Sequence, residues 1–311
     1  MTTVKLLVLP LILACFDQEQ IVTYKNAGGR VIIRNFSNVK THLKDKNGGV
    51  QNDENRITIT GNLAIAEAPE KGFSATGQTI DLKWAPLADK RTEIRSALIR
   101  RQATVIIDSD WGFASRVENA KEYHLPAPIP QTESRYSKVD SETITYTGSI
   151  EKGTLVFPVP WTFNQTNKGV TEQEDNGKKT KVVFDQKFEC DGSKGQMIIG
   201  PGKDGELNQL QTGFVEGPVH FKLIRHETPE GSNKMSTQSY VGVADRLDID
   251  LLKDPGTVKA TGHVKVDRVV DGYTSTTVTE WLVLNVTQQM EPIGIELGIG
   301  TGKINPKDGS K

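Results

Sequence analysis

Residues 57–65 read Ile57-Thr58-Ile59-Thr60-Gly61-Asn62-Leu63-Ala64-Ile65, and residues 258–266 read Val258-Lys259-Ala260-Thr261-Gly262-His263-Val264-Lys265-Val266. In both, apolar residues stand four and two places before a glycine and two and four places after it. Period two sends one row of side chains to a buried face and the other to solvent. The glycine falls in the middle of the inward row. It costs stability there unless the strand bends, bulges or meets another layer closely. Gly217 carries Val215, Val219 and Phe221 at matching offsets, and Gly148 carries Ile144, Tyr146 and Ile150, with Lys152 in the last place. Four stations of like parity read as a weak internal repeat. Their unequal spacing, from 61 to 148 to 217 to 262, excludes a solenoid of equal rungs.

Working outward, the same alternation recurs in Leu247-Asp248-Ile249-Asp250-Leu251 and in Leu282-Val283-Leu284-Asn285-Val286. The dipeptides Asn47-Gly48, Asn176-Gly177, Asp191-Gly192, Asp204-Gly205 and Asp271-Gly272 suit tight hairpin turns. Thr92 to Arg101 has some helical character but runs into Ala103-Thr104-Val105-Ile106-Ile107, and reads as strand. The fold class is all-β. Residues 124–131, with three prolines, read as a linker or excursion and the one place where the 21–304 domain could divide. Residues 164–181 are polar and read as an exposed loop, and residues 305–311 as a frayed tail.

The 311 residues carry 38 basic and 39 acidic side chains. That balance excludes the clustered basic surface that nucleic acid selects. Two cysteines, Cys15 and Cys190, exclude a disulfide framework. The N-terminus has one positive charge, Lys5, followed by nine apolar residues from Leu6 to Ala14. This fits a secretory leader over residues 1–15 and is too short to span a bilayer. Ile12-Leu13-Ala14-Cys15 resembles a bacterial lipoprotein lipobox, which implies lipidation of Cys15 and membrane anchoring. A plain leader or an uncleaved anchor with an incidental cysteine is the alternative.

Thr60-Gly61-Asn62-Leu63-Ala64-Ile65 and Thr261-Gly262-His263-Val264-Lys265-Val266 resemble the T-G-N-V-x-V strand of the OstA-like, LptA-type lipopolysaccharide-export family. Ala244-Asp245-Arg246-Leu247-Asp248-Ile249-Asp250 is similar to that family's alternating A-D-x-L-x-x-D segment, and Gly77-Gln78-Thr79-Ile80-Asp81-Leu82 is a looser copy. The resemblance covers about half the chain, clearest over 207–288 and poor over 111–206. It implies a bent, open-ended antiparallel β-jellyroll, or β-taco, with an apolar interior. It further implies a periplasmic, non-enzymatic role in outer-membrane assembly, holding the acyl chains of lipopolysaccharide or a similar glycolipid. The partners implied are other such jellyrolls, joined by end-to-end strand addition. Parity nominates Ile59, Leu63, Ile65, Val219, Phe221, Val264 and Val266 as trough-lining residues, joined by Ile80, Leu82, Leu282 and Leu284. The plainer reading of the same residues is an ordinary dry core.

Motifs for other chemistry fail on spacing. Gly298-Ile299-Gly300-Thr301-Gly302-Lys303 has Leu297 where a phosphate loop needs its first glycine, and reads as a glycine-rich strand or turn. His42, His124, His220, His226 and His263 lack zinc-site spacing, so no metal or cofactor is expected. No G-x-S-x-G elbow occurs, and Cys190 has no activating context. Asp248 and Asp250 share a strand face and read as its wet side. A structural or carbohydrate-binding β-protein of the cell envelope is the alternative to the lipid reading. A polysaccharide-active enzyme ranks third.

Overall fold

The computed structural model describes residues 21–26, 29–42, 55–86, 92–148, 152–175, 178–200, 209–287, 290–298 and 300–305. The leader, Cys15, Asn47-Gly48, Asn176-Gly177, Asp204-Gly205, Ile150 and residues 306–311 lie outside them. Seventeen strands form a single sheet. They are β1 (Ile21–Asn26), β2 (Gly29–Arg34), β3 (Asn38–His42), β4 (Asn55–Ala68), β5 (Phe73–Pro86), β6 (Thr92–Asp108), β7 (Glu133–Gly148), β8 (Gly153–Phe157) and β9 (Trp161–Asp175). The remainder are β10 (Lys178–Gly192), β11 (Lys194–Gly200), β12 (Gln209–Pro229), β13 (Ser236–Asp250), β14 (Gly256–Val270), β15 (Tyr273–Val286), β16 (Pro292–Leu297) and β17 (Gly300–Asn305). One α-helix, α1 (Ser109–Tyr123), lies between β6 and β7.

Every pairing is antiparallel and joins successive passes of the chain, a pass being one long strand or two short ones in line, so the sheet is a meander. Each long strand is broken at its middle. Register shifts fall at Thr60/Ala64 in β4, Thr76/Thr79 in β5, Arg100/Ala103 in β6, Glu216/Val219 in β12, Val243/Arg246 in β13 and Thr261/Val264 in β14. Where the break is complete the two halves are separate strands: β2 with β3, β8 with β9, β10 with β11, β16 with β17. Among the described residues the seventeen strands therefore make twelve bent rungs, with β1 a half-rung paired with β2 of the first. Their bends line up, and the sheet folds in two along that line. Limb I holds β2, the second half of β4 and the first half of β5. Limb II holds β3 and the other halves.

The bend line explains the glycine stations. Gly217 (φ +95) and Gly262 (φ +73) sit on it in left-handed conformations, and Asn35, Arg101, Gln102 and His263 join them with positive φ. A Cβ on Gly61 would lie 2.6 Å from the Asn35 carbonyl oxygen on the neighbouring rung. Gly148 differs: it ends β7 at a limb tip, and β7 bends instead between Ser141 and Thr143. Asp191-Gly192 is likewise at the bend, where β10 passes into β11, and is not a hairpin turn. Asp271-Gly272 does form one, with φ of +49 and +87.

Two expectations are corrected here. Residues 164–175 and 178–181 are strand, not loop: β9 pairs with β10 along its whole length. Their polarity misleads because the buried row itself turns polar, through Gln165 and Asn167. The helix α1 carries no strong apolar periodicity. It is started by the Asp108 carboxylate, which accepts from the backbone N–H groups of Asp110 and Trp111 at 3.0 Å, and is closed by left-handed His124. Residues 124–131 complete this excursion, and the sheet runs past it because β6 pairs directly with β7. Thr92–Arg101 is strand within β6, and Gly298 stands at the bend between β16 and β17.

Candidate functional site

Register places the inward side chains in rows that cross the whole stack. In limb I one row runs Ile33, Ala66, Ala75, Val105, Val139, Phe163, Cys190, Phe221, Gly242 and Val266, each the ladder partner of the next and each buried. In limb II another runs Ile57, Leu82, Ala97, Tyr146, Leu155, Met197, Gly213, Ile249, Val258 and Leu284. These faces meet across the fold and form one apolar cluster. Aromatic pairs stiffen it near the bend: Phe157 stacks on Trp161 at 4.5 Å, and Phe163 meets Phe188 edge-on at 6.0 Å.

Nine of the eleven nominated residues lie in this interior: Ile59, Ile80, Leu82, Val219, Phe221, Val264, Val266, Leu282 and Leu284. Leu63 and Ile65 do not. Leu63 is 39% exposed, and Ile65 is half-buried on the face opposite Ala64 and Ala66. Between Thr60 and Ala64, β4 advances four residues while β5 advances two, so the chain rotates at the bend and its parity reverses. At Gly262 the parity is kept, which is why Val264 and Val266 stay inside.

One enclosed cavity in the interior has a volume of about 10 Å³, the room of roughly one water. Phe221, Leu223, Tyr240 and Val266 line it from limb I, and Leu247, Val258, Leu282, Leu284 and Met290 from limb II. Around this cavity the interior is filled by its own side chains. Farther from the bend, limb I changes character. Arg135, Asn167, Gln186, Arg225 and Gln238 form a polar row across β7, β9, β10, β12 and β13. Arg135 Nε donates to Asn167 Oδ1 at 3.3 Å, and Arg225 Nη1 to Gln186 Oε1 at 3.1 Å.

Arg225 is the most enclosed charge, 1% exposed, with its guanidinium 4.3 Å above the Phe184 ring. Its Nε donates to Glu227 Oε1 at 2.6 Å, on its own strand. Its Nη2 lies 3.3 Å from Glu291 Oε2, just ahead of β16 on limb II. An ion pair therefore crosses the mouth of the fold. The sequence reading missed this group. The available signal was the alternation Phe221-x-Leu223-x-Arg225-x-Glu227, which carries an arginine into an inward row.

The remaining chemistry-bearing residues are not assembled into a site. Burial pushes the Cys190 thiol well above its ordinary range, with the neighbouring Asp191 carboxylate adding to this, so it is held as an inert thiol. His220 pairs with Asp191 at 2.8 Å and His263 with Asp245 at 2.7 Å, both exposed beside the bend. Trp161 is buried, Trp281 is partly exposed, and the Trp84 side chain lies outside the described set. No group of metal-ligating side chains occurs among the described residues. None of their helices is long and apolar enough to cross a membrane. No family model matches the chain, and no curated protein or solved structure matches it either.

Proposed function

We propose that the chain is a periplasmic lipid-binding and bridging protein of the lipopolysaccharide-export type. It holds acyl chains of lipopolysaccharide or a similar glycolipid between its limbs, acts without catalysis, and has Cys15 as a candidate membrane anchor. The observation that carries this reading is the pair of apolar rows running unbroken through ten rungs inside a sheet folded along one line. A chain lying along such rows gains roughly 0.8 kcal/mol for each buried CH₂. The limbs can make room at low cost, because ladder hydrogen bonds join rungs to one another and not limb to limb. Spreading them changes torsions at the bend, where positive-φ residues already concentrate. What opposes spreading is side-chain packing and the Arg225–Glu291 pair.

The two ends of the stack support the bridging half of the reading. Among the described residues, β1 pairs only with β2, and β16 and β17 pair only with β15. Each end presents unpaired N–H and C=O groups to an incoming strand. The deciding experiment is native mass spectrometry of the full chain with added lipopolysaccharide. A discrete adduct is expected, weakened when Ala260 is enlarged to Leu under conditions where circular dichroism shows the fold intact. A chain that takes up neither lipopolysaccharide, phospholipid nor fatty acid would instead be a structural β-protein with a packed core.

A further inference from the structure

The closed mouth carries more than a seal. Met290 is 1% exposed and lines the interior cavity, and Glu291, the next residue, reaches Arg225. Both are set by local hydrogen bonds. Met290 N–H donates to the Thr287 carbonyl at 2.9 Å, Thr287 N–H to the Glu291 carbonyl at 2.9 Å, and Glu291 N–H to Thr287 Oγ1 at 3.1 Å. Met290 also takes a left-handed backbone, φ +61, which a residue with a Cβ adopts only when its surroundings compel it.

We propose that Met290 and Glu291 are a built-in stand-in for a single-chain anionic amphiphile: the thioether side chain occupies the place of the acyl carbons next to the head group, and the Glu291 carboxylate occupies the place of the head group on Arg225. The proposal rests on the acyl-chain reading of the interior and names the ligand class that the mouth selects.

Three observations support it. First, Arg225 is anchored by its own sheet through one side of the guanidinium, Nε to Glu227 and Nη1 to Gln186. Nη2 is buried without a hydrogen bond among the described residues and lies 3.3 Å from Glu291 Oε2. The guanidinium therefore keeps its orientation when Glu291 departs, with donors aimed for a carboxylate or phosphate oxygen. Second, the order is that of an amphiphile. Leu223 lines the cavity, and Arg225 is the next inward residue toward the mouth. Third, the exchange conserves charge. One carboxylate leaves Arg225 and one anionic oxygen replaces it, so no buried charge is stranded. A neutral head group would leave Arg225 with Glu227 but without its second counter-charge.

Equilibrium binding of three probes of equal chain length to the full-length protein tests this: palmitate, 1-palmitoylglycerol phosphate and neutral 1-palmitoylglycerol. Wild type is expected to prefer the anionic probes. Glu291→Gln should tighten them by about tenfold relative to the neutral probe, because it removes the charge that competes for Arg225. Met290→Ala should tighten all three in equal proportion. The anionic probe that gains more from Glu291→Gln identifies the head group as carboxylate or phosphate. If Glu291→Gln preserves the wild-type ratio of anionic to neutral binding, with circular dichroism unchanged, the stand-in is overturned while the acyl-chain reading survives. If neither wild type nor either variant binds any probe or lipopolysaccharide, the acyl-chain reading itself fails.

Discussion

At the scale of single residues, the bend is where small differences in chemistry have large effects. Gly61 and Gly231 illustrate it. A Cβ at 61 meets backbone, the Asn35 carbonyl oxygen at 2.6 Å and Phe36 Cα at 3.0 Å, whereas a Cβ at 231 meets nothing within 4 Å. Backbone cannot rotate away as a side chain can. Gly61→Ala is therefore expected to cost about 2 kcal/mol or more. Gly231→Ala, which meets only the penalty of its positive φ, should cost about 1 kcal/mol. Urea midpoints of the two variants check the order. His263 supplies a pH test at the same line. Its hydrogen bond to Asp245, with the charge of that carboxylate, raises its pKa above the ordinary 6.5. A raised folded value means the contribution to stability is full below the unfolded pKa and is lost as pH rises through the folded one. NMR titration should place His263 above 6.5 in wild type and return it toward 6.5 in Asp245→Asn. Cys190 should resist iodoacetamide in a Cys15→Ser background until denaturant opens the sheet, because burial holds it as the neutral thiol.

At the scale of the strand, β4 shows how much of the architecture can be read from sequence and where reading stops. Alternation reveals that Ile57 and Ile59 point inward, and the glycine reveals that the strand is interrupted there. What alternation cannot reveal is how many residues the interruption consumes. That number depends on the neighbouring rung: β4 spends four where β5 spends two, and Leu63 goes outside. Accordingly Leu63→Lys should change stability by no more than about 0.5 kcal/mol, while Ile59→Ala should cost about 2–5 kcal/mol, both by chemical denaturation. The polar row is the other illegible feature. Asn167 and Gln186 look like solvent-facing residues until their partners, Arg135 and Arg225, are seen on adjacent rungs, and Gln165 donates in turn to Asn167 on its own strand. The identity of a buried amide is decided by cross-strand register, which a single strand does not encode. By contrast the rows through Val219, Val264 and Leu284 needed only their own strand's period, and sequence placed them correctly.

At the scale of the whole molecule, end-to-end assembly is the property most open to test. Ile293 and Leu297 are exposed on β16, at one end of the stack. Light scattering should show concentration-dependent association of the chain, and Ile293→Lys with Leu297→Lys should return it to monomer, since lysines on an edge strand block pairing. A wild type that stays monomeric at high concentration would argue against self-association and leave the ends for a different partner. The meander also fixes the sense of any such joint. Each rung reverses the chain, and among the described residues β1 and the twelve bent rungs make an odd number, so the first and last run the same way. β1 and β17 both travel from the bend toward the limb I tip, as their partners show: Asn26 lies opposite Gly29, and Asn305 opposite Thr274. Two copies stacked in the same orientation therefore meet through parallel strands, the weaker arrangement per residue. A partner whose terminal strand runs from limb tip to bend would make the stronger antiparallel seam. The joint with its own copy is therefore the weaker of the two, formed only at high concentration, and an unlike neighbour can displace it. Adding one rung at either end would invert that preference and leave every contact already inside the stack as it is.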